Sequence, residues 1–501
     1  MSTYTDAMSR LREVLIAVDY RVDSVMEAIT TAGQSDLERN HTVAACRALG
    51  QRTDRLATLI RLFILQQVVP SSQALAAIDV SGLAELGLIT VQQDQVAAMV
   101  DIRPFLDEST QASGWVVSDH AASVDTRVVP PTTDHVLGMS PASVSLSQIT
   151  PRHEVGAALD LGTGCGIQSL YLCEHARQVV ATDLNPRALT MASLTFALND
   201  VRVDARLGSL YEPVADEVFD LITTNPPFVI APPSDKRLTY REAGLRSDDL
   251  MKAVIQQAGP RLAPGGSLHV LGNWAHVDGQ PWENRLTQWV PAGCDAYFVE
   301  RETLDPYEYI EIWLADAGWM GSPQYLTKYR QWLEYFGACG VRSVGLGWVT
   351  MVKSGSDSPR VVAEQWGHSV SQPVADDLQA HIRALDYADW SDHRILDQTW
   401  VLAPGVVQET LGPVGRQDPA TVVLRRVDGL RRAVQVDYEF GGVLGACDGE
   451  LTLAQIVAAV AHLSGTDLGG LADMVMPKFR QLVAQTWLTP TGASAEDHLA
   501  G

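Results

Sequence analysis

Apolar residues recur at intervals of three and four through Leu11, Leu15, Val18, Val22, Val25 and Ile29, and again through Leu56, Leu59, Ile60 and Phe63. That spacing puts an apolar stripe on one side of each segment and predicts amphipathic helices. A short helix ends within Gly82–Ile89, and Val96–Phe105 reads as a strand. Helices followed by a strand pair predict a small winged-helix-like unit. Such units bind DNA in some proteins and act as substrate caps or dimer surfaces in others. No helix here carries the basic face that groove reading requires, so DNA binding is the weaker reading.

From about Ser118 to Lys353 the pattern changes to short apolar runs alternating with helical stretches, the signature of a parallel sheet covered on both faces. Seven strands are expected: Val155–Leu161, Gln178–Asp183, Val201–Leu207, Phe219–Thr224, Ser267–Gly272, Asp295–Arg301 and Ser343–Val352. Helices are expected at Ile167–His175, Arg187–Ala197 and Asp248–Leu262. An insert at about 302–342 separates the last two strands and is rich in aromatics, among them Tyr309, Trp313, Trp332 and Phe336. It either covers a pocket or packs a helical insertion onto the sheet, and packing is the simpler account.

Beyond Gly355 the polar stretch SGSDSPR reads as a linker. A hairpin turning at Asp428-Gly429 follows, then helices at Thr452–Leu463 and Leu468–Ala484. Arg425, Arg426, Arg431 and Arg432 flank the hairpin tip. A solvated tip is favoured over a finger for phosphate. The expected division is therefore 1–117, helical and winged-helix-like; 118–355, α/β; and 356–501, α+β.

Charge narrows the partners. A formal net charge of -23 gives an average field that repels polyanions, so a protein or small-molecule substrate is favoured and RNA is disfavoured. The 6 cysteines include no C-x-x-C pair, which suits reduced thiols rather than a zinc site or a disulfide framework. No metal is expected. The N-terminal residues lack a signal-peptide pattern, and the apolar run Leu56–Pro70 is interrupted by Arg61 and too short for a bilayer, so the expectation is a cytoplasmic protein without a membrane span.

The strongest motif is ALDLGTGCGIQSL, Ala158–Leu170: an apolar strand enters Asp160, then Gly162, Thr163, Gly164 and Gly166, then a helix. Glycines at this spacing let the backbone turn sharply and approach a ligand without interference from a Cβ. A dinucleotide site would place its third glycine where Ile167 stands, which argues against NAD. A second apolar strand ends in Asp183-Leu184-Asn185. Asp183 can accept both ribose hydroxyls; its alternative role is to cap the helix that Pro186 would open.

These segments resemble the class I methyltransferases that use S-adenosylmethionine. The resemblance implies a Rossmann-like fold, a glycine loop against the cofactor, a ribose-binding acid at Asp183, and an adenine-bracketing segment at Ser209 and Leu210. Many relatives carry an acid where this chain has Ser209.

The fourth expected strand ends at Asn225-Pro226-Pro227-Phe228. This N-P-P-F sequence resembles the motif of methyltransferases acting on amide or exocyclic amino nitrogens, such as release-factor glutamine and nucleobase-amine enzymes. A planar nitrogen attacks poorly because its lone pair is delocalised. If the Asn225 side-chain oxygen and the Pro226 carbonyl accept its two N–H groups, the lone pair can be aimed, and the prolines fix both acceptors in place. Phe228 is expected to stack on the substrate plane. Orientation of this kind can lower a barrier by about 7–11 kcal/mol at best. Pro227, Tyr240 and Arg241 are further candidates for substrate contact, after a loop containing Lys236 and Arg237. The expected activity is methyl transfer to a planar nitrogen. The alternatives are a small-molecule tailoring enzyme, including non-methylating chemistry, and a binding protein that kept the fold.

Overall fold

The computed structural model describes residues 2–109, 111–121, 123–125, 127–128, 131–234, 238–242, 244–414 and 421–492. Its centre is an eight-stranded sheet. The strands are β1 (Val155–Leu161), β2 (Ala176–Asp183), β3 (Asp204–Leu207), β4 (Phe219–Thr224), β5 (Leu262–Val277), β6 (Asp295–Leu304), β7 (Val341–Val352) and β8 (Val361–Gln365). Their order in space is β3-β2-β1-β4-β5-β7-β6-β8. The first five run parallel, and β7 is antiparallel to both its neighbours. The chain reverses its direction of travel across the sheet between β1 and β4, where a crevice opens at the carboxyl ends of the strands.

Seven strands were expected, and the eighth is a correction. The polar stretch after Gly355 is a turn within the sheet, not its edge: β8 returns parallel to β6, and Val361 and Ala363 pack against the core cluster that includes Phe298. The strand expected at Val201–Leu207 begins only at Asp204, because the Val201 amide closes the preceding helix on the Phe196 carbonyl. Strand β5 is far longer than expected, since β7 pairs with it from Ser267 to Val277.

Around the sheet stand α1 (Pro141–Ile149), α2 (Ile167–Leu172), α3 (Pro186–Asn199) and α4 (Asp249–Ala258). Asn185 caps α3 by accepting from the Arg187 amide, and Pro186 takes the first turn, where its missing N–H is no loss. The helix ends in left-handed Asp200.

The N-terminal region contains helices Ser2–Ala17, Val22–Glu38 and Val43–Leu49, a helical stretch over 55–64, two short helices, and a three-stranded antiparallel sheet. Val96–Phe105 is not one strand. Gln95–Ala98 pairs within that sheet, whereas Asp101–Leu106 pairs with Ser113–Ser118, and the break falls at Met99, whose amide donates to Leu88. The helix Val80–Glu85 before the hairpin contains no Lys or Arg. This region shares one apolar core with α2 and α3: Met8, Leu11 and Leu15 belong to the same buried cluster as Tyr171, Phe196 and Leu198. Asn199 ties the two together, accepting from the Trp115 amide and donating to the Trp115 carbonyl.

The insert forms α5 (Pro306–Asp316) and α6 (Tyr325–Cys339). Tyr309, Trp332 and Phe336 are buried with Val229 and Ile230, the residues directly after N-P-P-F. The Tyr309 hydroxyl accepts from the Ile230 amide at 2.9 Å and from Asn273 Nδ2 at 2.7 Å. The aromatics thus pack the insert and also anchor the chain leaving the motif.

In the C-terminal region the hairpin Thr421–Arg426 and Ala433–Val436 forms as expected, with Gly429 at φ 55°. The solvated-tip expectation is corrected. Arg426 and Arg432 are buried, with 8% and 6% exposure. Arg432 bonds Glu364 of β8 and the Tyr297 hydroxyl of β6 and lies 4.7 Å over the Trp366 ring, while Arg426 pairs with Asp377 of α7 (Ala375–Ala388) at 2.8 Å. These charges fasten the hairpin to the sheet edge, and Arg431 remains exposed. Among the described residues no helix is long and apolar enough to cross a membrane, and no cluster of His, Cys, Asp or Glu is arranged to hold a metal ion.

Candidate functional site

The crevice at the ends of β1, β2 and β4 is a cleft of about 400 Å³. Its floor is the glycine loop. Gly162 and Gly164 adopt φ 77° and 56°, left-handed values that side chains resist, and a Cβ on either would project into open space. Gly166 differs. A Cβ there would lie 2.7 Å from the Phe196 ring, so this glycine serves the packing of the loop on α3. The loop is held to β2 by the Gly162 and Thr163 amides, which both donate to the Thr182 carbonyl.

Asp160 lies beneath the loop, 1% exposed. One carboxylate oxygen accepts from Thr163 Oγ1 at 2.7 Å, the Ser169 amide at 3.0 Å and Ser169 Oγ at 2.7 Å. Burial pushes its pKa up to about 6, against these hydrogen bonds. Asp160 therefore shapes the loop without lining the cleft.

Asp183 does line it. Its carboxylate accepts from the Gly164 amide at 3.0 Å and the Asn185 amide at 2.8 Å, while Asn185 caps the helix. Burial raises its pKa, and the backbone bonds oppose the rise. Leu184 is exposed beside it, and Ser209 and Leu210 close the same wall after the Gly208 amide donates to the Asp183 carbonyl.

The opposite wall is the end of β4. Thr224 Oγ1 donates to the Leu161 carbonyl at 2.6 Å and so ties β4 to β1. Asn225, Pro226 and Pro227 line the cleft. The Asn225 side chain makes no hydrogen bond among the described residues. The Pro226 carbonyl accepts from the Phe228 amide at 2.7 Å, which leaves it a second lone pair. Phe228 stands back from the cleft lining, with its ring edge-on to Trp313 at 6.4 Å.

Tyr240 lines the cleft, its hydroxyl donating to Asp316 at 3.1 Å and its ring 5.7 Å from that of His135. Arg241 does not. It is 5% exposed and bonded to Glu242, Asp316 and the Trp313 carbonyl. Lys236 and Arg237 lie outside the described residues.

Several residues of the cleft are not legible in sequence, Ser143 and Gln168 among them, and two such elements matter most. The first is a strap formed by His135–Gly138 and Ser140, pinned by the Asn185 side chain donating to the Asp134 carbonyl, by the Val136 amide donating to Asp119, and by the Thr239 amide donating to Thr133. Burial lowers the His135 pKa. The second is Glu242. Neither follows a periodic pattern, so only the folded chain brings them to the cleft.

The fold and site together define an α/β domain with a mostly parallel sheet and a glycine-floored cleft at the carboxyl ends of its strands. Residues 139–281 match the family model of the methyltransferase small domain, and residues 17–99 match a domain of unknown function (DUF7059). Among characterised relatives, the ribosomal RNA small subunit methyltransferase C of Alcanivorax borkumensis is 31% identical over 24% of this chain and 32% of its own length. The release factor glutamine methyltransferase of Geobacter sulfurreducens is 30% identical over 25% of this chain and 54% of its own. The ribosomal protein uL3 glutamine methyltransferase of Bradyrhizobium diazoefficiens is 32% identical over 23% of this chain and 40% of its own. The chain thus spans only a third to about half of these relatives. Among solved structures, a T. thermophilus 16S rRNA N2 methyltransferase with AdoMet and guanosine matches at 16% identity and a TM-score of 0.27, over 44% of this chain and 58% of that one. By name the relatives act on ribosomal RNA, a release factor and a ribosomal protein, so the expectation that RNA is disfavoured finds no support among them.

Proposed function

We propose that this protein transfers a methyl group from S-adenosylmethionine to a planar nitrogen on a macromolecule of the translation machinery, a nucleobase amine or a glutamine amide. The observation that carries the reading is the Asn225 side chain, which makes no hydrogen bond among the described residues and lines one cleft with Gly162, Gly164 and Asp183.

The residues fit the cofactor. Gly162 and Gly164 leave open the space that a Cβ would take, and the cleft is of nucleoside size. Asp183 would hold the ribose, since each of its oxygens keeps a lone pair beyond the backbone bond it already accepts. Ser209 and Leu210 would flank the adenine. When bound, S-adenosylmethionine supplies an activated methyl group on sulfonium.

The chain's own work is orientation. The Asn225 side-chain oxygen accepts one N–H of the substrate nitrogen, and the Pro226 carbonyl accepts the other through its remaining lone pair. Holding both N–H groups turns the nitrogen lone pair toward the donor and stabilises the positive charge that develops on that nitrogen. Phe228, braced on Trp313, fixes the position of the motif. The strap, with Tyr240 packed against its His135, narrows the mouth of the cleft.

The test is incubation of purified protein with tritiated S-adenosylmethionine and, separately, ribosomal RNA, ribosomal subunits and release factors. Label in one of them, lost in Asn225→Ala, is expected. Absence of label together with absence of cofactor binding in calorimetry would overturn the assignment.

A further inference from the structure

Resting on that reading, we infer that Glu242 determines substrate specificity: its free carboxylate oxygen accepts a second N–H next to the methylated nitrogen, which suits the cleft to a guanine edge and not to a glutamine carboxamide. Glu242 is 9% exposed and lines the cleft that holds Asn225. Its backbone pairs with Phe228 in an antiparallel bridge, so its place relative to the motif is fixed.

The two carboxylate oxygens differ. Oε1 accepts from Arg241 Nε at 3.0 Å and Nη2 at 2.8 Å. Oε2 accepts no hydrogen bond among the described residues. Glu242 lines the cleft, so this open acceptor is placed to receive a donor from a ligand seated beside Asn225. Charge points the same way. Arg241 is shared with Asp316 at 2.9 Å, so two carboxylates face one guanidinium and the local balance is negative.

The candidate groups present different edges here. Guanine carries a ring N–H directly beside its exocyclic amine, two donors in a row. A glutamine carboxamide places its own carbonyl beside the nitrogen, and adenine and cytosine place a ring acceptor there. Each of these would set lone pairs against Glu242 Oε2. Only the donor–donor edge satisfies Asn225, Pro226 and Glu242 together.

The test is equilibrium binding to the full chain saturated with S-adenosylhomocysteine, using guanosine, 1-methylguanosine, adenosine and N-acetylglutamine amide. Guanosine should bind best, and 1-methylguanosine, which lacks the ring N–H, at least about tenfold more weakly. Glu242→Gln should weaken guanosine about tenfold to a hundredfold, leave S-adenosylhomocysteine affinity unchanged, and shift preference toward adenosine, because the amide turns a donor into the cleft. Guanosine affinity unchanged in Glu242→Gln, or a wild type that prefers the carboxamide or adenosine, would overturn the inference. Failure of the wild type to bind S-adenosylhomocysteine would instead overturn the reading beneath it.

Discussion

The amide of Gly164 donates to Oδ2 of Asp183 at 3.0 Å, joining the glycine loop after β1 to the end of β2. One carboxylate therefore both shapes the loop and faces the cleft. Asp183→Ala is expected to weaken S-adenosylmethionine binding by tenfold or more, since charged hydrogen bonds contribute about 1.5–3 kcal/mol. Calorimetry on the purified variant checks this, and an affinity within twofold of wild type would count against the ribose role.

The glycines of the loop should separate by phenotype. Gly166→Ala meets the Phe196 ring at 2.7 Å and also forces a left-handed alanine, so it should lower stability by about 1–3 kcal/mol in urea unfolding. Gly162→Val, whose Cβ opens on the cleft, should reduce cofactor affinity more than Gly166→Ala does.

Asn225→Ala should leave cofactor affinity within about twofold and lower kcat by about 10²–10³, the usual effect of deleting one transition-state hydrogen-bond partner. Equal loss of both would point to a structural role for Asn225.

Much of this was legible in sequence because apolar runs define buried parallel strands: β1 and β4 fall where their patterns place them, and both motifs sit at strand ends. The glycine loop was legible for a related reason, since its backbone excludes side chains. What was hidden depends on contacts distant in sequence. Arg426 and Arg432 read as surface residues until β8 and α7 supply Glu364 and Asp377. Glu242 reads as an ordinary surface acid until its bridge to Phe228 brings it to the cleft.

Asp160 makes stability pH-dependent in a definite direction. Its folded pKa is about 6, above the ordinary carboxylate value, so the native state binds the proton more tightly than the unfolded chain. Its contribution is fully present below the unfolded pKa and is lost as pH rises through about 6. Urea unfolding of wild type and Asp160→Asn from pH 4 to 7 should show wild type losing stability relative to the variant across that window. A constant difference would refute the shift.

The buried hairpin arginine gives a mechanical prediction. Arg432→Ala leaves Glu364 without its partner inside the structure and should cost about 3–5 kcal/mol, whereas Arg431→Ala on the exposed side should be nearly neutral. Thermal unfolding of the two variants side by side distinguishes them.

Met8, Leu11 and Leu15 at one end of the chain lean on Phe196 and Leu198 in the flank of the sheet's third helix. Scission near residue 117 would strip that flank bare, leaving a sticky α/β fragment instead of a freestanding one. The leading hundred residues thus act as one wall of the α/β domain, not as a detachable accessory.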